Sequence, residues 1–208
     1  MIDIDALLKI LLVFVVGLIS PGPDFMAVST MSLKRGRIDG IKTAAGIATV
    51  IILYTFVCLT GLAVLFAHYL WAVAAIKIGG GVYLLYLGVQ LWRASLKPDA
   101  KAAQAPPVEI QKNSYLMGVL VCLTNPKAIA FFASIFALAL TPDTTFATKA
   151  TIQMVVPMTT FLWFSFVAFS LSKPYVRNRY QRWQKAIDRI TGSVIGLFGL
   201  KLILSAKD

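Results

Sequence analysis

The chain has 208 residues, of which 58% are hydrophobic and only 14% charged, with a mean hydropathy of +0.78. A soluble domain carries roughly a quarter charged residues, so the apolar excess here must face lipid rather than a protein core. The net charge of +11 does not point to nucleic acid, because the basic residues sit in short connections between apolar runs, the pattern that marks the cytoplasmic side of membrane proteins.

About 20 apolar residues cross the hydrocarbon as a helix, and six segments are predicted to do so: 6–33, 40–67, 69–92, 114–140, 146–171 and 187–205. The first follows Met1-Ile2-Asp3-Ile4-Asp5, which has neither the basic start nor the cleavage site of a signal peptide, so it reads as a membrane span. It is interrupted by Ser20-Pro21-Gly22-Pro23-Asp24. The second begins with small residues every fourth position, Gly36, Gly40, Ala44 and Ala48, which suits close helix packing. His68, Tyr69 and Trp71 then form an interfacial belt, and a lone histidine has no second one with which to build a metal or nucleophilic site. The third span carries Gly81 and Gly88. A polar linker, 96–113, with Ala105-Pro106-Pro107, separates two halves of about 1–95 and 114–208 in a single membrane domain.

The fourth span is interrupted by Thr124-Asn125-Pro126-Lys127. In the fifth, Pro157 with Thr159 and Thr160 predicts a kink that can line the same cavity as the earlier breaks. Residues 175–187 mix aromatic and basic side chains and are expected to lie along the inner membrane surface. The sixth span carries Gly192 and Gly199, at the same seven-residue spacing as Gly81 and Gly88. Seven residues make two helical turns, so each pair lines one face and lets another helix approach.

Basic residues alternate from one connection to the next. Lys34, Arg35, Arg37 and Lys42 follow the first span; Arg93, Lys97, Lys101 and Lys112 follow the third; Lys173, Arg177, Arg179, Arg182, Lys185 and Arg189 follow the fifth. The other side holds only Lys9, Lys77, Lys149, Lys201 and Lys207. The positive-inside rule therefore predicts both termini outside the cytoplasm. Three spans per half make the second half an inverted copy of the first, a common transporter architecture, and the expected fold is an all-α integral membrane protein of two inverted three-helix repeats with helices 1 and 4 broken at proline.

The two breaks carry the functional expectation. Proline removes an amide donor and frees an upstream carbonyl, and in hydrocarbon irregular backbone persists only where protein or a wet cavity receives it. The first break lies about 22 Å along its span from outside and the second about 16 Å from inside, so at 1.5 Å per residue they meet at comparable depth. Asp24 and Lys127 follow directly on them and stand as the one acidic and one basic residue inside the spans. A charge there costs several kcal/mol unless paired or hydrated, and by default marks function. Asp24 suits a proton or a substrate ammonium, and Lys127 a carboxylate. A salt bridge locking two kinked helices is the structural alternative. The site expected to bind substrate and proton is thus Ser20, Pro21, Gly22, Pro23, Asp24, Thr124, Asn125, Pro126 and Lys127.

Four stretches resemble the LysE/RhtB-type translocators, bacterial amino-acid exporters, over nearly the whole chain. They are Ser20-Pro21-Gly22-Pro23-Asp24-Phe25; Gly79-Gly80-Gly81-Val82-Tyr83-Leu84 with Leu87-Gly88; Leu123-Thr124-Asn125-Pro126-Lys127-Ala128; and Arg179-Tyr180-Gln181-Arg182 with Ile187-Asp188 and Gly192. The resemblance implies six helices in the bacterial inner membrane and export of amino acids, threonine- or homoserine-like, driven by the proton gradient. It calls for no cofactor, and its partners are the amino acid, protons and lipid, with a homo-oligomer left open. Two other readings compete. An intramembrane thiol redox protein would use Cys58 and Cys122, but their predicted depths differ by roughly 15 Å, too far for a disulfide. A non-transporting membrane scaffold would need Asp24 and Lys127 only for folding. No His–Glu metal motif or Ser–His pair supports an enzyme.

Overall fold

A computed structural model of the chain describes residues 2–20, 22–96, 112–141, 143–171 and 174–206; Pro21 and linker residues 97–111 lie outside them. The described residues form eight helices and no strand: α1 (Ile4–Ile19), α2 (Pro23–Arg35), α3 (Arg37–His68), α4 (Leu70–Leu96), α5 (Ser114–Leu123), α6 (Pro126–Ala139), α7 (Phe146–Leu171) and α8 (Pro174–Leu204). The first and fourth predicted spans are each a pair of helices, bent by 51° between α1 and α2 and by 60° between α5 and α6. Both second members start on proline, Pro23 and Pro126, at the helical position where a missing amide costs nothing.

Among the described residues, α3, α4 and α7 are each long and apolar enough to cross a membrane, and five spans result if each bent pair counts as one. The sixth predicted span, 187–205, is the second half of α8. It carries Asp188, Arg189 and Lys201 and is not among those five. The 175–187 segment is helical. It runs into the sixth segment as one 31-residue helix, because no proline or glycine falls between Pro174 and Gly192 to stop it.

Hydrogen bonds sort the helix ends into two groups. Asp3 N–H donates to Thr148 Oγ1 at 2.8 Å, joining the starts of α1 and α7, and Lys77 Nζ donates to the Ser205 carbonyl at 2.7 Å, joining the first turns of α4 to the end of α8. At the other end an Arg35 guanidinium N–H donates to the Lys112 carbonyl at 2.9 Å, the Ser114 hydroxyl donates to the Asp39 carboxylate, and Arg189 Nε donates to Ser95 Oγ at 3.2 Å. α3 and α7 run antiparallel between these ends, with the Arg37 guanidinium 5.8 Å from the centre of the Phe169 ring at one point and Gln153 donating to the Ile52 carbonyl further along. The basic residues flanking the first, third and fourth predicted spans therefore gather at one end of the bundle. Gly36 makes the turn from α2 to α3 with φ of 94°, a conformation in which a Cβ would clash.

The most extensive helix pair is α4 with α8, and glycine makes it so close. A Cβ added at Gly81 would stand 2.7 Å from the Gly199 carbonyl oxygen, and one added at Gly199 would stand 2.7 Å from that of Gly81. Gly88 and Gly192 face each other in the same way, at 2.7 and 2.8 Å. The contact is backbone on backbone at two points two turns apart. Its register is symmetric: when Gly81 is matched with Gly192 and Gly88 with Gly199, as the spacing suggests, each contact maps onto the other. Around this pair the core is apolar, with Ile10, Val13, Val28, Ile47, Leu84, Ile135, Ile152, Ile195 and Leu202 buried.

Candidate functional site

The break between α5 and α6 is built by local chemistry. Pro126 has no amide to return to the Cys122 carbonyl one turn back. Asn125 N–H reaches that carbonyl at 3.1 Å, and the Tyr54 hydroxyl, arriving from α3, donates between the Cys122 and Leu123 carbonyls at 3.3 and 3.1 Å. A neighbouring side chain thus satisfies groups that hydrocarbon cannot. Asn125 is buried and caps α6, its side-chain oxygen accepting the Lys127 amide at 3.0 Å. Tyr54→Phe leaves the freed carbonyls one donor short. It is expected to cost about 1–2 kcal/mol, read as a lower unfolding temperature of the purified protein, with no change in the temperature if Tyr54 has no such role.

The two breaks meet. Ser20, Gly22 and Asp24 from the first and Asn125 and Lys127 from the second line one partly open cavity of about 50 Å³, lined elsewhere by Phe14, Phe25, Phe131, Phe132, Phe164 and Thr160 among others. That volume holds one or two waters. Lys127 Nζ donates to Ser20 Oγ at 3.2 Å. A Cβ on Gly22 would stand 3.3 Å from Lys127 Nζ, so glycine at this position leaves room for the ammonium. Gly17 has a similar task, since a Cβ there would press into the Phe131 ring. Asp24 lies beside Asn125 and Cys122 and within electrostatic reach of Lys127, yet its buried Oδ1 has no hydrogen-bond partner. The two charges do not form a direct ion pair, unlike Lys9 and Asp5 on the surface of α1. The amino ends of α2 and α6 both open onto the cavity through their capping residues Gly22 and Asn125, and the positive end of each helix dipole there favours an anion.

The nine residues singled out in the sequence therefore divide. Ser20, Gly22, Asp24, Asn125 and Lys127 share the cavity wall, while Pro23 and Pro126 start the helices that present them. Thr124 is exposed and turns its hydroxyl back to the Leu120 carbonyl at 2.8 Å, outside the cavity lining. Pro21 lies outside the described residues. Of the kink residues, Thr160 reaches the cavity and Thr159 is not in its lining. Both cysteines are free: Cys122 is fully buried beside Asp24 and Cys58 is half-buried on α3.

One expectation needs correction. Asp24 and Lys127 are not the only charges inside the predicted spans, whose ends also take in Lys9, Lys42, Lys77, Lys149, Asp188, Arg189 and Lys201. Asp188, at the start of the sixth predicted segment, is only 2% exposed and lies within electrostatic reach of Lys127. Its signal was in the sequence, in the Ile187-Asp188 pair, but its place at the edge of an apolar run made it look like part of the basic connection. The aromatic wall and Tyr54 had no sequence signal of comparable strength. Among the described residues, no group of three or more His, Cys, Asp or Glu could hold a metal ion.

Residues 15–206 match the family model for LysE type translocators. The chain is 36% identical over 200 residues to the threonine efflux protein of Escherichia coli strain K12, covering 95% of this chain and 97% of that one. It is 36% identical over 196 residues to the threonine efflux protein of Salmonella typhi, covering 93% and 95%. It is 30% identical over 190 residues to an uncharacterized membrane protein of Escherichia coli K12, YahN, covering 91% and 85%. No solved structure matches the chain.

Proposed function

This chain belongs to the LysE-type translocator family, a family of membrane transporters and not of enzymes, and on that footing we propose that it exports a small amino acid, threonine- or homoserine-like, in exchange for protons. The observation that carries this reading is the cavity at the two breaks, where one carboxylate and one ammonium stand near each other without a direct ion pair. A free amino acid is a zwitterion. Its ammonium suits Asp24, whose Oδ1 lacks a partner, and its carboxylate suits Lys127 with the amino end of α6 behind it. Asp24 can hold a proton or the substrate's ammonium but not both, and that competition is a sufficient basis for antiport.

The proposal includes six spans in two inverted halves, with α8 supplying the sixth, and the basic end of the bundle in the cytoplasm of a bacterium whose inner membrane holds the protein. The reciprocal glycine contacts of α4 and α8 support the inverted repeat, and the gathering of basic residues at one end supports the orientation. The cavity is partly open to its surroundings, and substrate is taken to reach it between the α1–α2 and α5–α6 breaks.

The direct test is efflux of radiolabelled L-threonine from cells producing the protein, with and without a protonophore. Efflux above that of empty-vector cells, abolished by the protonophore, is the expected result. Efflux indifferent to the protonophore removes the proton from the reading, and an absence of efflux for threonine, homoserine and other small amino acids removes export.

A further inference from the structure

The basic end of α8 presents three faces. At about 100° per residue, Gln184, Asp188 and Thr191 share the face turned into the bundle, where all three are buried. Arg182, Lys185 and Arg189 fall within an arc of about 60° on a second face, and Trp183, Ala186 and Ile190 within a similar arc on a third. The second and third faces adjoin, and their six residues line one open hollow. Arg182 and Arg189 are exposed on its basic side, and Trp183 and Ile190 are 60% and 65% exposed on its apolar side. The end of α4 accounts for the hollow. α4 packs along the basic column of α8 higher up, with Gly88 against Gly192 and Arg189 Nε donating to Ser95 Oγ at 3.2 Å, and it then stops at Leu96. Lys185 and Arg182 carry the column about one and two turns beyond that last contact.

A hollow with cations along one wall and apolar side chains along the other fits a molecule that carries both a phosphate and a hydrocarbon chain. We propose that this is a binding site for an anionic phospholipid, with Arg182, Lys185 and Arg189 holding its phosphate and Trp183, Ala186 and Ile190 receiving its glycerol and acyl region. The guanidinium fork of Arg189 is already fixed through Ser95, so less freedom is lost when a phosphate binds. Trp183 has the amphipathic ring that suits headgroup depth. Charge complementarity favours lipid over the chain's own linker as the occupant. Residues 97–111 carry Asp99 and Glu109 but also Lys97 and Lys101, so the linker brings no net negative charge. The acidic residue within the stretch itself, Asp188, is buried on the bundle side. The bound headgroup would tie α8 to the end of α4 through Arg189. The inference requires α8 to lie in the membrane and does not depend on what the protein transports.

The test uses the full chain purified in detergent, with dioleoyl-phosphatidylglycerol or dioleoyl-phosphatidylcholine added. Retained lipid is read by native mass spectrometry and stability by thermal unfolding. Phosphatidylglycerol is expected to stay bound and to raise the unfolding temperature, and phosphatidylcholine to do neither. Arg182→Gln/Lys185→Gln is expected to weaken the apparent affinity for phosphatidylglycerol about tenfold or more, with the unfolding temperature in phosphatidylcholine unchanged. Arg182→Lys/Lys185→Arg keeps both charges and is expected to keep the lipid. Lys34→Gln/Lys42→Gln removes two exposed cations from other helices and is expected to change nothing. An equal loss in that control shows diffuse attraction to the membrane and overturns the site, as does full retention by Arg182→Gln/Lys185→Gln. Stabilisation by inorganic phosphate that matches phosphatidylglycerol overturns the lipid as occupant. Lipid that binds only after Asp99→Asn/Glu109→Gln assigns the hollow to the linker instead. Should the double variant fail to purify, Arg182→Gln alone, at an exposed position, is expected to weaken retention about threefold or more, and unchanged retention there overturns the proposal.

Discussion

Asp24→Asn is expected to abolish gradient-driven export and to leave the protein inserted in the membrane. The substitution keeps the shape of the side chain and removes its ability to carry a proton or to balance an ammonium. Its cost to folding is expected to be limited, because the carboxylate has one oxygen unpartnered and forms no direct ion pair, so relief of its desolvation offsets part of what is lost to Lys127. Transport by the variant would be followed as protonophore-sensitive efflux, and insertion as the monodispersity of detergent-extracted protein. Normal gradient-coupled efflux in Asp24→Asn would falsify the assignment of Asp24 as the coupling residue. A variant that fails to insert at all would instead support a scaffold role for the charge.

Lys127→Gln acts on the other end of the substrate. A charge-assisted contact to a carboxylate contributes about 1.5–3 kcal/mol, which corresponds to a KM raised roughly 10- to 100-fold. Glutamine keeps a donor that can turn towards Ser20, so the existing bond from Lys127 Nζ to Ser20 Oγ at 3.2 Å does not by itself make the variant unfold. The effect is expected in KM measured in inside-out vesicles, and it should be weaker for an analogue whose carboxylate is replaced by a neutral amide. Equal losses for the acid and the amide would show that Lys127 does not read the carboxylate.

The parts of this molecule that were legible in the sequence are those fixed by local covalent chemistry. Proline at 23 and 126 follows a capping residue, Gly22 or Asn125, and starts a new helix, whereas Pro157 stands inside α7 without ending it; the two bends, and the charged residues just beyond them, could be placed from the chain alone. The seven-residue glycine spacing was equally readable, and it marks the closest approach of α4 and α8. What the sequence hid depends on distant partners. Tyr54 is 68 residues from the carbonyl of Cys122 that it satisfies, and nothing in its own surroundings announces that. Asp188 looked like the edge of a basic connection because its buried state is decided by helices from elsewhere in the chain. Thr124 adjoins the proline motif but points away, since a helix C-terminus offers its hydroxyl the Leu120 carbonyl in its own turn. Adjacency in sequence predicted it as a site residue and adjacency in space did not follow.

The glycine crossing has a mechanical consequence. Helices that interlock through side chains move past one another in jumps, because each ridge must leave one groove before it enters the next. At Gly81–Gly199 and Gly88–Gly192 the glycines put no side chain of their own between the backbones, while Ile203, Leu84 and Trp92 pack at the edges of the crossings. The joint between α4 and α8 thus rests on two bare-backbone pivots, with its attitude held by the side-chain hydrogen bonds from Trp92 to Ser193 and from Arg189 to Ser95. A single larger residue at any of the four positions would act as a wedge, prising the axes apart and seizing the joint in one attitude.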